Sequence, residues 1–172
     1  MKLGNTIRSF QDFPKKGILF RDISPILRDP EVMRYVIDQF YDHFRNKKID
    51  LIAGIESRGF IFACPLGIKF NKGIIMIRKQ GKLPGKTVSL AYSIEYGSAT
   101  MEIQQDSIGK GQNVLIADDL LATGGTARAS AELIERLGGK VVGFAFVMEL
   151  ASLKGRTLIK DYEVHSLVTY DE

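Results

Sequence analysis

Apolar side chains recur every fourth position at Val32, Val36, Phe40 and Phe44, with Arg34, Asp38 and Asp42 between them. That period predicts a helix over "RDPEVMRYVIDQFYDHFRNKK", with Asp29 as N-cap and Pro30 in the first helical position. Elsewhere the apolar residues come in short unbroken runs: "DLIAGI" (50–55), "GIIMIR" (73–78), "NVLIAD" (113–118), "KVVGFAFVM" (140–148) and "EVHSLVTY" (163–170). Runs of that length predict strands, and the first three read as strands buried on both faces. "GFIFACPLGIKF" (59–70) reads as a helix made imperfect by Pro65. "GTARASAELIERLGG" (125–139) puts Ala127, Ala131, Ile134 and Leu137 on one helix face, with Gly138 as the stop.

Strands and helices alternating at this spacing predict an α/β fold, a mainly parallel sheet flanked by helices. A single domain over residues 1–172 is expected, with no repeat or linker. Residues 79–99 break the pattern with glycines at 81, 85 and 97, basic side chains and "LAYSIEY". A stretch of this kind inside a compact domain predicts a long lid or binding loop with extended, hairpin-like edges.

Composition narrows the function. The hydrophobic fraction of 45% and the charged fraction of 26% are those of a soluble globular chain. No run approaches the ~18 apolar residues of a membrane span, and the N-terminus lacks a signal-peptide core. A cytoplasmic protein without a membrane partner is expected. The single cysteine, Cys64, excludes an internal disulfide and is expected to be a buried structural thiol. The net charge of +4 admits nucleic acid or a small polyanion as partner. Arg78, Lys79, Lys82 and Lys86 cluster without interleaved aromatics, which fits an anion-gripping loop or a solvated one better than a base-stacking platform. His43 and His165 have no partner at metal-ligand spacing and read as structural.

The stretch "IADDLLATGGT" (116–126) carries the chemistry. Asp118 and Asp119 end a strand, and the carboxyl ends of parallel strands are where α/β sheets bind ligands. "ATGGT", Ala122 to Thr126, can present consecutive N–H groups and two hydroxyls at a helix N-terminus, a cradle for one phosphate. Neither GxxxxGK[ST] nor GxGxxG follows a strand, so a single terminal monophosphate fits better than a triphosphate or dinucleotide. Carboxylates would repel that phosphate, but they accept hydrogen bonds from vicinal hydroxyls. Together the two features describe a ribose 5-phosphate site. The plainer alternative makes Asp118 a loop cap and Asp119 a solvated acid.

This block resembles the 5-phosphoribosyl-1-diphosphate (PRPP) motif of type I phosphoribosyltransferases. "GILFRDISPIL", "GIESRGFIF", "RKQGKLPGKT" and "YSIEYGSATMEIQ" resemble the adenine-using branch of that family, in the same order along the chain. The resemblance implies a Rossmann-like core (about 31–172), a small N-terminal hood (about 1–30) and a flexible lid loop (about 79–99). It implies conversion of adenine and PRPP to AMP and pyrophosphate with Mg²⁺, in a homodimer that binds no nucleic acid. Carried over, Asp118 and Asp119 hold the ribose, and Ala122, Thr123, Gly124, Gly125 and Thr126 hold the 5-phosphate. Glu56, Ser57 and Arg58 form the pyrophosphate loop, a place where the family often has a non-proline cis peptide. Arg78, Lys79 and Lys82 supply further cations, Arg78 with a possible reach to a neighbouring subunit. Leu19, Phe20 and Arg21 line the base. Glu95, Tyr96 and Arg58 are the catalytic candidates, Glu95 for the purine proton. No protein side chain is expected to bind metal directly, Mg²⁺ being held by substrate oxygens and water. The chain departs from the family pattern at Ala63-Cys64 and in a short final segment. Two other readings stay open here: transfer to a different purine, and a PRPP-sensing regulator without catalysis, for which no helix-turn-helix pattern is evident.

Overall fold

The computed structural model describes residues 2–94 and 97–171. Its centre is a seven-stranded sheet in the order β5-β6-β4-β3-β7-β8-β9. The strands are β3 (Leu51–Ile55), β4 (Gly73–Lys79), β5 (Thr87–Ile94), β6 (Gly97–Gln104), β7 (Asn113–Leu121), β8 (Lys140–Leu150) and β9 (Val164–Tyr170). β4, β3, β7, β8 and β9 run parallel, and β5 and β6 join antiparallel beside β4. Apart from this sheet, β1 (Arg8–Gln11) and β2 (Leu19–Asp22) form an antiparallel pair. The expected mainly parallel sheet flanked by helices is what the chain adopts.

Period-two alternation sorts the strand residues to two cores. On one face Ile52, Leu115, Ala117, Ala145 and Val147 meet α2 (Pro30–Phe44) and α3 (Gly59–Phe70). On the other, Ile55, Ile116, Phe144 and Phe146 meet α4 (Gly125–Arg136). A five-residue helix, α1 (Ser24–Arg28), precedes α2 and adds Ile26 to the first core. α2 forms as its pattern dictates: Val32, Val36, Phe40 and Phe44 are buried, and the Asp29 carboxylate accepts from the N–H groups of Glu31 at 2.9 Å and Val32 at 3.3 Å. Among the described residues no helix is long and apolar enough to cross a membrane.

Several expectations need correction. Cys64 is exposed rather than buried. α3 turns Phe62, Ala63 and Leu66 inward, which rotates position 64 outward. β4 is buried on one face only: Ile75 and Ile77 are inside, while Ile74 and Met76 are 39% and 44% exposed. Residues 79–99 hold less loop than expected, and their hairpin-like edges are the antiparallel β5–β6 pair. Val88, Leu90 and Tyr92 alternate with small residues and pack on the second core, so only residues 80–86 remain irregular between β4 and β5. α3, by contrast, is the expected helix with Pro65 inside it. The carbonyl that this proline leaves without a partner is that of Ile61, which is 40% exposed and can face water.

The Asp29 cap has a measurable consequence. Asp29→Ala is expected to cost about 1 kcal/mol of stability. The denaturant midpoint should fall with an unchanged slope, and an unchanged midpoint would show that α2 starts without its cap.

Candidate active site

β3 leads through α3 to β4 on one side of the sheet, and β7 leads through α4 to β8 on the other. The chain therefore diverges between the carboxyl ends of β3 and β7, and an open sheet has its crevice at such a point. A cleft of about 350 Å³ lies there. Glu56, Ser57, Arg58 and Lys79 form one wall; Asp118, Asp119 and the turn Ala122–Thr126 form much of the other.

The acids lie within β7, where it outruns its neighbour. The β3–β7 ladder stops at Gly54 and Ala117, while β8 continues alongside as far as Leu121. Asp119 is 4% exposed and accepts a hydrogen bond from the Arg58 guanidinium. It is thus not the solvated acid of the plainer alternative. Asp118 is partly buried, and its carboxylate accepts from the Asp119 N–H at 2.9 Å. Burial first, and the Asp119 charge second, push the Asp118 carboxyl well above the usual carboxylate range. Two adjacent acids so placed favour a ligand that brings hydroxyl donors or a cation.

The turn after β7 leads directly into the N-terminus of α4. Gly124 sits at φ +85°, a conformation open to glycine, and is the N-cap of α4. The helix N-terminus therefore opens towards the cleft, and Thr123, Gly124 and Thr126 line it. The Thr126 hydroxyl is 2.9 Å from the Tyr92 hydroxyl of β5. Gly125 is helical and packs on Tyr92: a Cβ there would lie 3.3 Å from its ring.

The opposite wall is held by ion pairs. The Glu56–Ser57 peptide is cis. The Glu56 carboxylate accepts from the Arg78 guanidinium at 2.9 Å and the Lys79 N–H at 2.8 Å. The Arg78 bond, partly opposed by burial and aided by the Lys79 N–H, holds it below the ordinary glutamate range. Arg78 also donates to the Lys82 carbonyl at 3.0 Å, so its guanidinium is turned inward. Residues 80–86 are clamped from below by Glu102, 4% exposed, which accepts from the N–H groups of Lys82 and Leu83 at 3.0 and 2.9 Å.

The cleft thus gathers Glu56, Ser57, Arg58, Lys79, Asp118, Asp119, Ala122, Thr123, Gly124 and Thr126. Gly125, Arg78 and Lys82 do not line it. Leu19, Phe20 and Arg21 are on β2, outside the cleft. The Phe20 ring is edge-on to Phe13 at 5.1 Å, and Arg21 lies 3.8 Å over the Tyr170 ring. Glu95 and Tyr96 lie outside the described residues. Sequence reasoning missed Tyr92, Glu102 and Phe146. The first two were within reach, both standing in the block "YSIEYGSATMEIQ". Phe146 lines the cleft but reads as one of many core phenylalanines. Among the described residues no three His, Cys, Asp or Glu side chains gather as a metal cage.

The family model described as the phosphoribosyl transferase domain matches residues 22–172. A curated relative, the adenine phosphoribosyltransferase of Nitrosopumilus maritimus, is 59% identical over 99% of this chain and 100% of its own. The solved adenine phosphoribosyltransferase of Thermoanaerobacter pseudethanolicus superposes with a TM-score of 0.95 at 45% identity, covering 98% of both chains. The Saccharomyces cerevisiae enzyme, solved with adenine and an imino-altritol bisphosphate, gives a TM-score of 0.92 at 42% identity over 96% of each chain.

The raised Asp118 pKa predicts a pH dependence. A carboxyl whose folded pKa is raised contributes its stability below the unfolded value of ~4 and loses it as pH climbs through the shifted one. In the ligand-free protein Asp118→Asn should therefore raise the melting temperature at neutral pH and flatten its fall between acid and neutral pH. The same variant should lose turnover. A lower melting temperature for the variant at pH 7 would contradict the burial argument.

Proposed function

The chain belongs to the phosphoribosyl transferase family, and we propose that it transfers the 5-phosphoribosyl group of PRPP to adenine, giving AMP and pyrophosphate in purine salvage. The observation that carries this reading is the crevice itself: an acid pair, a phosphate-sized turn and a cationic wall around one cleft. The relatives named above support adenine as the base.

In this reading Asp118 and Asp119 accept from the ribose hydroxyls, and the N–H groups of Ala122–Thr126 hold the 5-phosphate. The ribose C1–oxygen bond to pyrophosphate breaks as the C1–N9 bond to adenine forms, and the N9 proton leaves. The transition state has oxocarbenium character, and negative charge grows on the departing pyrophosphate. Arg58, Lys79 and Lys82 are the cations offered to that charge, with Ser57 beside them. Glu56 serves the same wall by holding Arg78 and the Lys79 backbone. Bound Mg²⁺ neutralises diphosphate charge. The lining fits that role without a direct protein ligand: substrate oxygens and water would hold the ion, and the Asp118 carboxylate at the cleft could accept from its bound water. Glu95 and Tyr96 are proposed as catalytic residues, Glu95 as acceptor of the purine proton.

Leu19, Phe20 and Arg21 are proposed as the adenine edge, in a hood over the core. Phe20 would stack on the ring, and the Leu19 carbonyl and Arg21 N–H would match the 6-amino group and N1. Hypoxanthine presents the opposite donor–acceptor pair, and backbone polarity cannot be swapped by rotation. With purified protein, Mg²⁺ and PRPP, nucleotide formation across a panel of bases should favour adenine over hypoxanthine by roughly 10⁴-fold in kcat/KM. Phe20→Ala should weaken adenine binding yet keep most of that preference. Equal constants for the two bases would remove the adenine assignment, and tight PRPP binding without pyrophosphate release would favour a regulator.

A homodimer in the cytoplasm completes the proposal. Ile61, Cys64 and Ile68 form an outward stripe on α3, beside the exposed Ile74 and Met76 of β4. Ile68 is 80% exposed, and an apolar surface of this kind fits a partner face. Sedimentation should report a dimer that Ile68→Glu converts to monomer. A native monomer at micromolar concentration would refute this part of the proposal.

A further inference from the structure

The phosphate-sized turn is backed by a segment far along the chain. Beyond β8, a short 3-10 turn (Gly155–Ile159) brings Gly155 against Ala122–Gly124. A Cβ at Gly155 would lie 2.2 Å from the Ala122 carbonyl oxygen and 3.0 Å from the Gly124 nitrogen. From the other side, a Cβ at Gly124 would lie 2.4 Å from the Gly155 carbonyl oxygen. Two backbones thus touch with no side chain between them, and neither can yield by a rotamer change. The segment is itself fixed. Arg156 donates through Nε to both oxygens of the buried Glu149 at 2.7 and 2.9 Å, and through Nη1 to the Val164 carbonyl at 3.1 Å. Ile159, fully buried, ties its far end to the second core.

We propose that Gly155, fixed by Arg156 to the end of β8, is a positioning residue that sets the conformation of Ala122–Thr126 for a sugar 5-phosphate. The proposal rests on the reading of that turn as the 5-phosphate cradle. Gly155 does not touch the ligand. It forms a hard floor beneath the turn, so that the N–H groups converge on one phosphate without reorganising when it arrives. Arg156 acts one step further back. Its fork spans Glu149 on β8 and the Val164 carbonyl on β9, so the floor moves only with the sheet.

The test separates the two halves of the cleft. Calorimetric titrations with Mg²⁺ would use ribose 5-phosphate as probe of the cradle and pyrophosphate as probe of the Glu56–Arg58 wall. A misplaced cradle predicts that Gly155→Ala weakens ribose 5-phosphate roughly tenfold or more while pyrophosphate stays within about twofold. In turnover, KM for PRPP should rise with KM for adenine little changed. Arg156→Lys, which keeps the charge but loses the two-pronged contact, should give the same split in weaker form, and it carries the test if Gly155→Ala does not fold. Parallel losses for both probes, or none for either, would overturn the proposal. Thr126→Val serves as control on the cradle: if it and Gly155→Ala both leave ribose 5-phosphate binding intact, the cradle reading falls as well. If Thr126→Val alone weakens that binding, the cradle stands and Gly155 is only structural.

Discussion

Two carboxylates on consecutive residues at the end of a buried strand are the constraint on which this architecture turns. Unit charges about 4 Å apart near a protein surface repel by about 4 kcal/mol, and burial adds to the cost of keeping them ionised. The fold answers in part. Asp119 is matched by Arg58, which comes from the loop after β3, while Asp118 is left with the Asp119 N–H. An arrangement that stability alone would replace with apolar residues makes sense for a ligand carrying hydroxyl donors and cations. It also ties the cleft's two walls together, since Arg58 of one wall reaches Asp119 of the other.

Everything else in the site follows from where β3 and β7 part. Their following helices cross to opposite faces of the sheet, so the loop at 56–58 and the turn at 122–126 face each other across a gap that neither helix fills. The irregular segment 80–86 could have wandered, yet buried Glu102 and the Glu56–Arg78 pair bind it to β4 and β6. Charge is spent here on holding backbone: both glutamates accept N–H groups as well as a side-chain donor. A wall built this way keeps Lys79 at the cleft while both terminal nitrogens of Arg78 are held by Glu56 and the Lys82 carbonyl.

Local signals made much of this legible in the sequence. The four-residue stripe of α2, the apolar runs of β3 and β7 and the glycine-bearing turn after the acids each carry their own physics, and each forms as read. The faces of α3 and β4 were less legible. "GFIFACPLG" and "GIIMIR" are apolar on every side, so no period reveals that Cys64, Ile68, Ile74 and Met76 face outward. The lid was overdrawn for the opposite reason. Glycines and lysines at 81–86 masked the strand alternation of Val88, Leu90 and Tyr92 behind them. Long-range partners were invisible: nothing in "SLKGR" points to a turn more than 30 residues upstream.

That distant contact shows how the site is made rigid. Three glycines in the same region are places where one backbone runs against another. A Cβ at Gly59 would lie 2.7 Å from the Ala117 carbonyl oxygen and 3.0 Å from an Asp118 oxygen, and Gly124 and Gly155 face each other as described. Side-chain packing could not bring three chain segments so close to one small ligand, because each Cβ would add its own diameter to the gap. With the side chains removed, the acid-bearing strand, the helix N-terminus and the turn beyond β8 become parts of a single stiff body whose reference frame is the parallel sheet. Donors fixed in that frame need no reorganisation as charge shifts from C1 to the leaving group, and preorganisation of this kind is where electrostatic catalysis gains most. On the proposed reading, the burial that raises the Asp118 pKa belongs to the same geometry that would fix its partner groups before substrate arrives.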